Sequence, residues 1–243
     1  MEHDLSHFTL SDMTRCGAEL RRLGLESDSM EAAATAIVRY LYENLYCADP
    51  PQRACVLVRL YKTHEYGDLP AELREFGHQL MPTVSLDSST KCLTLLGSAG
   101  DLAQWNSRRN SRGHKTIPLP SEHVVEQIPM IAQLIRQFGV TVSSIIEPHP
   151  EIIKELDRRT YNVFYVPAAK GSPHVPGQSE FVIPNRVESA LGFGGMLPDG
   201  NLFAVIMFSR VAIAQSTAEM FRTIALNVKL AILPYVGGTI FAG

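Results

Sequence analysis

The sequence lacks the hallmarks of several large protein classes. No apolar run reaches the ~18 residues of a membrane-spanning helix. Residues 1–10 have neither the basic start nor the apolar stretch of a signal peptide. The four cysteines (Cys16, Cys47, Cys55 and Cys92) are widely spaced and form no CxxC pair. This spacing favours small buried thiols in a reducing compartment over a disulfide framework, so we expect a cytoplasmic protein.

Charge of either sign is also modest. The formal net charge is -3, which gives no long-range attraction to nucleic acid or to an anionic membrane. We therefore expect neither as a partner. Apolar residues make up 45% of the 243 residues, which is enough for a full hydrophobic core.

The common catalytic motifs are missing as well. The sequence contains no GxSxG elbow, no HExxH, no GxxxxGK[ST] and no kinase-type glycine-rich loop. The run Gly192–Gly195 precedes a turn and a strand, so it lacks the helix N-terminus that binds phosphate. We interpret it as close backbone packing within a strand. The sequence therefore points to no catalytic residue and to no enzymatic activity in this chain.

Hydrophobic periodicity predicts the secondary structure. Predicted helices are a short one within 1–28, then 30–46, 69–80, 121–138 with a break at Pro129, 149–160, and one that Ser216 caps and that runs to 233. Predicted strands are 54–61, 91–97, 140–146, 162–166, 181–183, 189–197 and 202–208, with a turn at 62–67. The order indicates an α+β fold with a central antiparallel sheet of five to six strands.

The stretch Ser189–Leu233 has the most distinctive pattern. A glycine-rich strand, the turn Pro198-Asp199-Gly200 and the apolar strand Leu202–Phe208 lead into a long helix. That helix has two apolar stripes, one of which consists of Leu226, Leu230 and Leu233. Two stripes call for two partners, which we expect to be the helix's own sheet and a second chain or domain.

This ending resembles the C-terminal half of GAF domains, the small-molecule sensor modules of bacterial signalling proteins. The resemblance rests on Leu191-Gly192, the Pro198-Asp199-Gly200 turn, Leu202–Ser209 and the helix Thr217–Leu233. It implies N- and C-terminal helices on one face of the sheet and an elaborated helical and loop cover on the other. Residues 1–28 would be a lead-in helix, and 29–243 a single domain with an enlarged insertion at about 98–160.

The resemblance also implies a function. A small molecule or cofactor would bind between the sheet and a cover formed by 98–178, and the terminal helices would signal through a homodimer. The output would be a histidine kinase, a diguanylate cyclase or a phosphatase, within a longer chain or in a partner, as in two-component systems. The cysteines match neither the clustered thiols of the free methionine sulfoxide reductases on this fold nor a bilin attachment site, because no Cys-His dipeptide occurs.

The candidate ligand-binding residues cluster in the least regular segment, 98–120. They are Trp105, Arg109, Arg112 and His114, with His123 just beyond the segment. Arginines make forked contacts to phosphate or carboxylate, and tryptophan stacks on planar groups. The alternative is a solvated surface loop in which Trp105 fills the edge of the core.

The ligand itself is left open by the sequence. Haem or non-haem iron would use a histidine such as His114 or His123, and a small metabolite is equally compatible. Two other functions also stay open, a small-molecule enzyme and a ligand-free dimerisation scaffold. A cavity of ~300 Å³ or more would favour a sensor over a scaffold.

Overall fold

A six-stranded antiparallel sheet forms the centre of the protein. The structure, a computed structural model, describes residues 2–148 and 162–241. The described strands are β1 His3–Asp4, β2 Leu45–Ala48, β3 Pro51–Arg53, β4 Cys55–Glu65, β5 Lys91–Gly100, β6 Thr116–Leu119, β7 Asn162–Val166, β8 Ser189–Met196 and β9 Leu202–Ser209. The central sheet has the order β6-β5-β4-β9-β8-β7, and β1, β2 and β3 form a small separate sheet.

Helices cover both faces of the central sheet. They are α1 Leu10–Leu25, α2 Met30–Asn44, α3 Ala71–Leu80, α4 Glu122–Glu126, α5 Pro129–Gln137, α6 Val142–Ile146 and α7 Gln215–Ile232. The terminal helices α1, α2 and α7 share one hydrophobic core with one face of the sheet, while α5, α6 and the loops of the cover share a second core with the other face. The predicted α+β fold, with terminal helices on one face and a cover on the other, is confirmed.

The central strands β4 and β9 pair with each other and are buried on both faces. Side chains alternate between the two cores, as the pleat of a strand requires. In β9, Phe203, Val205 and Met207 face the helices, whereas Ala204 and Ile206 face the cover. A single layer of backbone therefore separates the two cores.

The predicted strand at 140–146 is wrong. Gly139 has a φ of +76°, which ends α5, and the Thr141 hydroxyl then accepts a hydrogen bond from the backbone N–H of Ser144 at 3.2 Å. This N-cap starts the short helix α6 in a segment whose β-branched residues favour a strand.

Three local predictions also need correction. Residues 181–183 are not extended, because Gly177 (φ +69°) leads into a π-helical turn at Gln178–Val182. The turn expected at 62–67 comes later, since β4 continues to Glu65 by pairing with β5 and a 3-10 turn follows at Tyr66–Asp68. Helix α7 begins at Gln215, and Ser216 does not cap it. The predicted helix at 149–160 lies outside the described residues.

The glycine-rich strand β8 packs as the sequence predicted. A Cβ atom placed on Gly194 would clash with the backbone carbonyl oxygen of Phe203 in β9 and would lie 2.9 Å from the ring of Phe138, which follows α5. The glycine thus lets both the neighbouring strand and the cover approach β8.

Among the residues that the structure describes, no helix is both long and apolar enough to cross a bilayer.

The N-terminal segment contributes more than the short lead-in that we expected. Helix α1 has 16 residues, and Cys16 and Leu20 are fully buried in the core that α2 and α7 share. Leu10, the first residue of this helix, is 68% exposed. The domain boundary at residue 28 stays a prediction.

Two glycines of α1 test this packing. A Cβ atom on Gly24 would lie 2.5 Å from the Cα atom of Ala231 in α7, whereas one on Gly17 would lie 2.5 Å from the movable amide of Asn227. Alanine favours a helix by about 1 kcal/mol over glycine. We nevertheless expect Gly24→Ala to lower the free energy of unfolding by about 2 kcal/mol, since the backbone of α7 cannot yield.

Gly17→Ala is the matched control, because Asn227 is able to rotate away from the new methyl group. Urea denaturation should show a change of less than about 1 kcal/mol for it. Equal effects of the two substitutions would contradict the close contact of α1 and α7 at Gly24.

His64 predicts a pH dependence of stability. Burial, reinforced by the charge of Lys62, lowers the pKa of His64 to about 3. Below about pH 6.5 the histidine is protonated in the unfolded chain but stays neutral in the folded chain. The free energy of unfolding therefore falls as the pH falls. The slope contributed by one group reaches about 1.4 kcal/mol per pH unit.

Replacing His64 with phenylalanine should therefore flatten the decline in the free energy of unfolding between about pH 6.5 and 4.5. Urea denaturation at several pH values measures it. His78→Phe, at an exposed position of α3, should keep the wild-type slope. The account fails if His64→Phe declines as steeply as the wild type.

Candidate functional site

A cavity of about 370 Å³ lies between the sheet and its cover. Strands β4 and β9 form its floor with residues such as Leu57, Arg59 and Ile206, and α5 contributes Ile131 and Leu134 to the opposite wall. The volume lies within the 300–1,000 Å³ range of small-molecule pockets. The cavity also exceeds the size that distinguishes a sensor from a scaffold with a filled core.

Three aromatic side chains form an apolar part of the wall. The ring centres of Trp105 and Phe181 lie 5.6 Å apart, and those of Phe181 and Phe208 lie 4.9 Å apart. Both pairs meet edge to face, at interplanar angles of 76° and 86°. The π-helical turn that contains Phe181 thus links the loop of Trp105 to the central strand β9.

A polar cluster occupies another part of the cavity. Arg59, on β4, is only 9% exposed. Its Nη1 donates to the hydroxyl of Tyr61 at 3.2 Å, and its Nη2 donates to the hydroxyl of Ser111 at 3.0 Å. Ser111 in turn donates to the carbonyl of Gly113 at 3.0 Å. These contacts hold the loop before β6 against the strand.

Arg59 has no counter-ion in the described part of the chain. Both of its hydrogen-bond acceptors are neutral hydroxyl groups, and its buried Nε has no partner. No carboxylate in the described ranges forms a salt bridge with it. A buried, unpaired cation is costly to a fold and is the expected partner of an anion.

His114 lies beside this cluster in an uncommon backbone conformation. Its φ is +59°, a value that few residues other than glycine adopt. His114 borders the cavity and is partly exposed to solvent. Desolvation by the surrounding atoms, reinforced by the charge of Arg59, lowers the pKa of His114. His114 is therefore neutral near pH 7 and is able to donate or accept a hydrogen bond.

The structure brings three of the five predicted site residues to the cavity. Trp105, Arg112 and His114 line it, whereas Arg109 and His123 do not. His123 is exposed on α4, where its Nε2 lies 3.0 Å from the amide nitrogen of Gln127. Arg109 is exposed, and its carbonyl accepts a hydrogen bond from Lys115 at 2.9 Å. Whether any of the five binds a ligand stays a prediction.

The cations of the basic loop have two different roles. Arg108 is buried and forms a forked ion pair with Glu31 of α2, with N–O distances of 2.8 and 3.2 Å. Lys115 pairs with Glu72 of α3 at 3.1 Å. These two cations attach the loop to its neighbours, and Arg112 is the loop cation that borders the cavity.

The sequence analysis missed Arg59 and Tyr61. Both belong to the run ACVLVRLY, which reads as a nearly continuous apolar strand. The available signal was the arginine itself, since a charge in the middle of a buried strand needs a partner.

The described residues offer little for metal binding or for a reactive thiol. No group of three or more histidine, cysteine or acidic side chains is arranged to hold a metal ion there. A haem needs one proximal histidine, and among the described residues His114 is the histidine that borders the cavity. Burial raises the pKa of Cys16, Cys55 and Cys92 to about 12, so these thiols stay protonated. No cysteine lines the described cavity.

No protein-family model and no curated protein matches the sequence. Among solved structures, the free methionine-R-sulfoxide reductase from Neisseria meningitidis, in complex with its substrate, has a TM-score of 0.49 at 12% identity and 95% and 96% coverage of this and that chain. The GAF domain of the Acinetobacter phosphoenolpyruvate-protein phosphotransferase has a TM-score of 0.46 at 10% identity and 94% and 97% coverage.

The chromophore-binding domain of a bacteriophytochrome from R. palustris has a TM-score of 0.42 at 11% identity, with 94% of this chain and 63% of that chain covered. At such identities and scores we take no function from these structures. The chain's own sheet order, its terminal helices on one face and its cover on the other give it a GAF-like fold.

Proposed function

We propose that this chain is a sensory or regulatory module of a bacterial signalling protein that binds a small molecule in the cavity between sheet and cover. The observation that supports the proposal is the cavity itself, about 370 Å³ with an apolar wall and a few polar groups at one part. Such a combination is typical of small-molecule sites. A ligand-free scaffold would instead fill this space with side chains.

The sheet offers a short route from the ligand to the terminal helices. Ile206 borders the cavity, while its neighbours Val205 and Met207 contact the helical core on the opposite face. Because packed cores deform little, a ligand that displaces β9 would also shift the side chains that support α2 and α7.

The second part of the proposal is that α7 joins a homodimer. Helix α1 packs against one side of α7 at Ala231, yet Leu226 and Leu230 remain 39% and 41% exposed. These two leucines belong to the second apolar stripe of the helix. A second copy of this chain would cover that stripe, and a histidine kinase, diguanylate cyclase or phosphatase would be the output in another domain or partner.

The chain itself is proposed to have no catalytic activity. The cavity wall offers no cysteine among the described residues, and it pairs no nucleophile with a base. The alternative of a small-molecule enzyme would need such a pair.

A substitution that fills the cavity tests ligand binding. Ile206→Phe adds volume where the floor already borders empty space, so the fold should tolerate it at a cost of about 1 kcal/mol. Native mass spectrometry compares the variant with the wild type, each incubated with a bacterial metabolite extract. We expect a bound small-molecule mass on the wild type and at least a tenfold lower occupancy on Ile206→Phe.

Ile183→Phe is the control, since it adds the same ring at a position that is 55% exposed. It should bind like the wild type. If Ile206→Phe retains the same mass as the wild type, the ligand binds elsewhere. If the wild type binds nothing, the scaffold alternative stands.

Charge on the exposed stripe tests the dimer. The double substitution Leu226→Glu and Leu230→Glu should convert a dimer to a monomer in analytical ultracentrifugation, because burying two carboxylates at an interface is costly. Leu80→Glu, at another exposed leucine (45%), should leave the dimer intact. A wild-type protein that sediments as a monomer at high concentration would contradict this part of the proposal.

A further inference from the structure

The chemistry of the cavity wall specifies a class of ligand, an inference that rests on the proposed binding function. The wall is divided unequally. Its polar cluster consists of Arg59, Tyr61 and the loop residues Arg112 to His114, with Ser111 bonded to Arg59 behind them. Gln104 and Glu180 add two polar side chains beside Trp105 and Phe181, and most of the remaining lining is aliphatic or aromatic. A ligand that matches both parts has one polar end and an apolar body.

The polar end of the ligand faces cations. Among the described residues, the wall carries two guanidinium groups, those of Arg59 and Arg112, against one carboxylate, that of Glu180. Glu180 and Arg112 are both exposed, whereas Arg59 is buried, and no salt bridge in the described ranges joins Glu180 to Arg59. The wall thus has an excess of positive charge, which favours a ligand with one negative charge.

Two arginines are buried in the described part of the chain, and they differ in their partners. Arg108 is 6% exposed, and the chain supplies it with the forked carboxylate of Glu31. Arg59 is 9% exposed, and the described chain supplies it only with two hydroxyl groups. A guanidinium has five N–H donors and Arg59 uses two of them in these bonds, so it keeps N–H groups for an acceptor that enters the cavity. Its Nε–H is buried and has no partner in the described chain.

The apolar part of the wall excludes other anions. Sugar hydroxyl groups and polyphosphates would lose hydrogen bonds to water against Ile131, Leu134 and Ile206, which offer none in return. The rings of Trp105, Phe181 and Phe208 instead suit an aromatic or aliphatic body.

We propose that the cavity binds a small amphipathic carboxylic acid, with its carboxylate on Arg59 and its apolar body against the rings of Trp105, Phe181 and Phe208. Arg112 and His114, on the same loop, add a second cation and a neutral hydrogen-bonding group near the carboxylate. The hydroxyl groups of Tyr61 and Ser111 orient the guanidinium and are positioning groups.

The protein's single tryptophan provides the measurement. Trp105 is the only tryptophan of the chain and lines the cavity, so a bound ligand changes its fluorescence. The probes are 3-phenylpropionate and octanoate, each compared with its uncharged amide. We expect each acid to bind the wild type at least ten times more tightly than its amide.

Substitution of Arg59 tests whether this side chain causes the preference for the acid over the amide. In Arg59→Met, which keeps the length of the side chain and removes the charge, the ratio should fall below threefold. Arg39→Met removes an exposed arginine from α2, on the other side of the sheet, and should keep the wild-type ratio. Circular dichroism checks folding, and Arg59→Lys replaces the methionine variant should that one not fold. The lysine variant should bind both acids at least threefold more weakly than the wild type, since it lacks the guanidinium fork.

The outcomes separate this inference from the proposed function. If the wild type bound acid and amide equally well, the proposed preference for a carboxylate would be wrong, although the cavity would still bind a ligand. An acid preference that persists in Arg59→Met, or unchanged acid affinity in Arg59→Lys, would overturn the role of Arg59. If no probe binds but native mass spectrometry finds a bound neutral molecule, the ligand class is wrong and the sensor stands. If neither method detects a ligand, both proposals fail.

Discussion

The alternation of side chains along β4 and β9 is the constraint on which the structure depends. Both strands lie in the middle of the sheet and are buried on both sides, so each of their apolar residues belongs to one of two cores. The helical core is closed by direct contact, to the point that Gly24 of α1 meets Ala231 of α7 without space for a methyl group. The other core is packed incompletely, because the loops and short helices that cover the strands leave a cavity between themselves and the sheet.

A buried charge gives this incomplete core its chemical character. Replacing Arg59 by an apolar residue would extend the hydrophobic face of β4, and natural folds keep such a cation where it has a partner or a use. Arg108, in the loop before β6, is a buried arginine with a structural role, because Glu31 is its counter-ion. Arg59 receives hydroxyl groups and faces the cavity. The contrast between the two arginines is the strongest argument that this cavity binds an anion.

Sequence patterns predicted the architecture better than they predicted the site. Strong hydrophobic patterns mark β4, β5, β9 and the long helix after β9. No competing cap or turn residue changes the structure of these elements. Where a cap or a left-handed glycine competes with propensity, as at Thr141 or Gly177, the prediction was wrong. Trp105, Arg112 and His114, which line the cavity, were predicted because they concentrate in an irregular segment. Arg59 was missed because its neighbours in sequence are apolar, and its significance appears only when the strand meets the loop at Ser111.

A correlation spectrum of backbone and side-chain N–H groups, recorded while 3-phenylpropionate is added, tests the central claim most directly. Trp105 gives a single indole signal because no second tryptophan exists. The account predicts that this signal and the Nε–H signal of Arg59 shift most, followed by the backbone of the loop from Ser111 to His114 and of β9. Shifts confined to residues outside the cavity, or none at saturating probe, would contradict it.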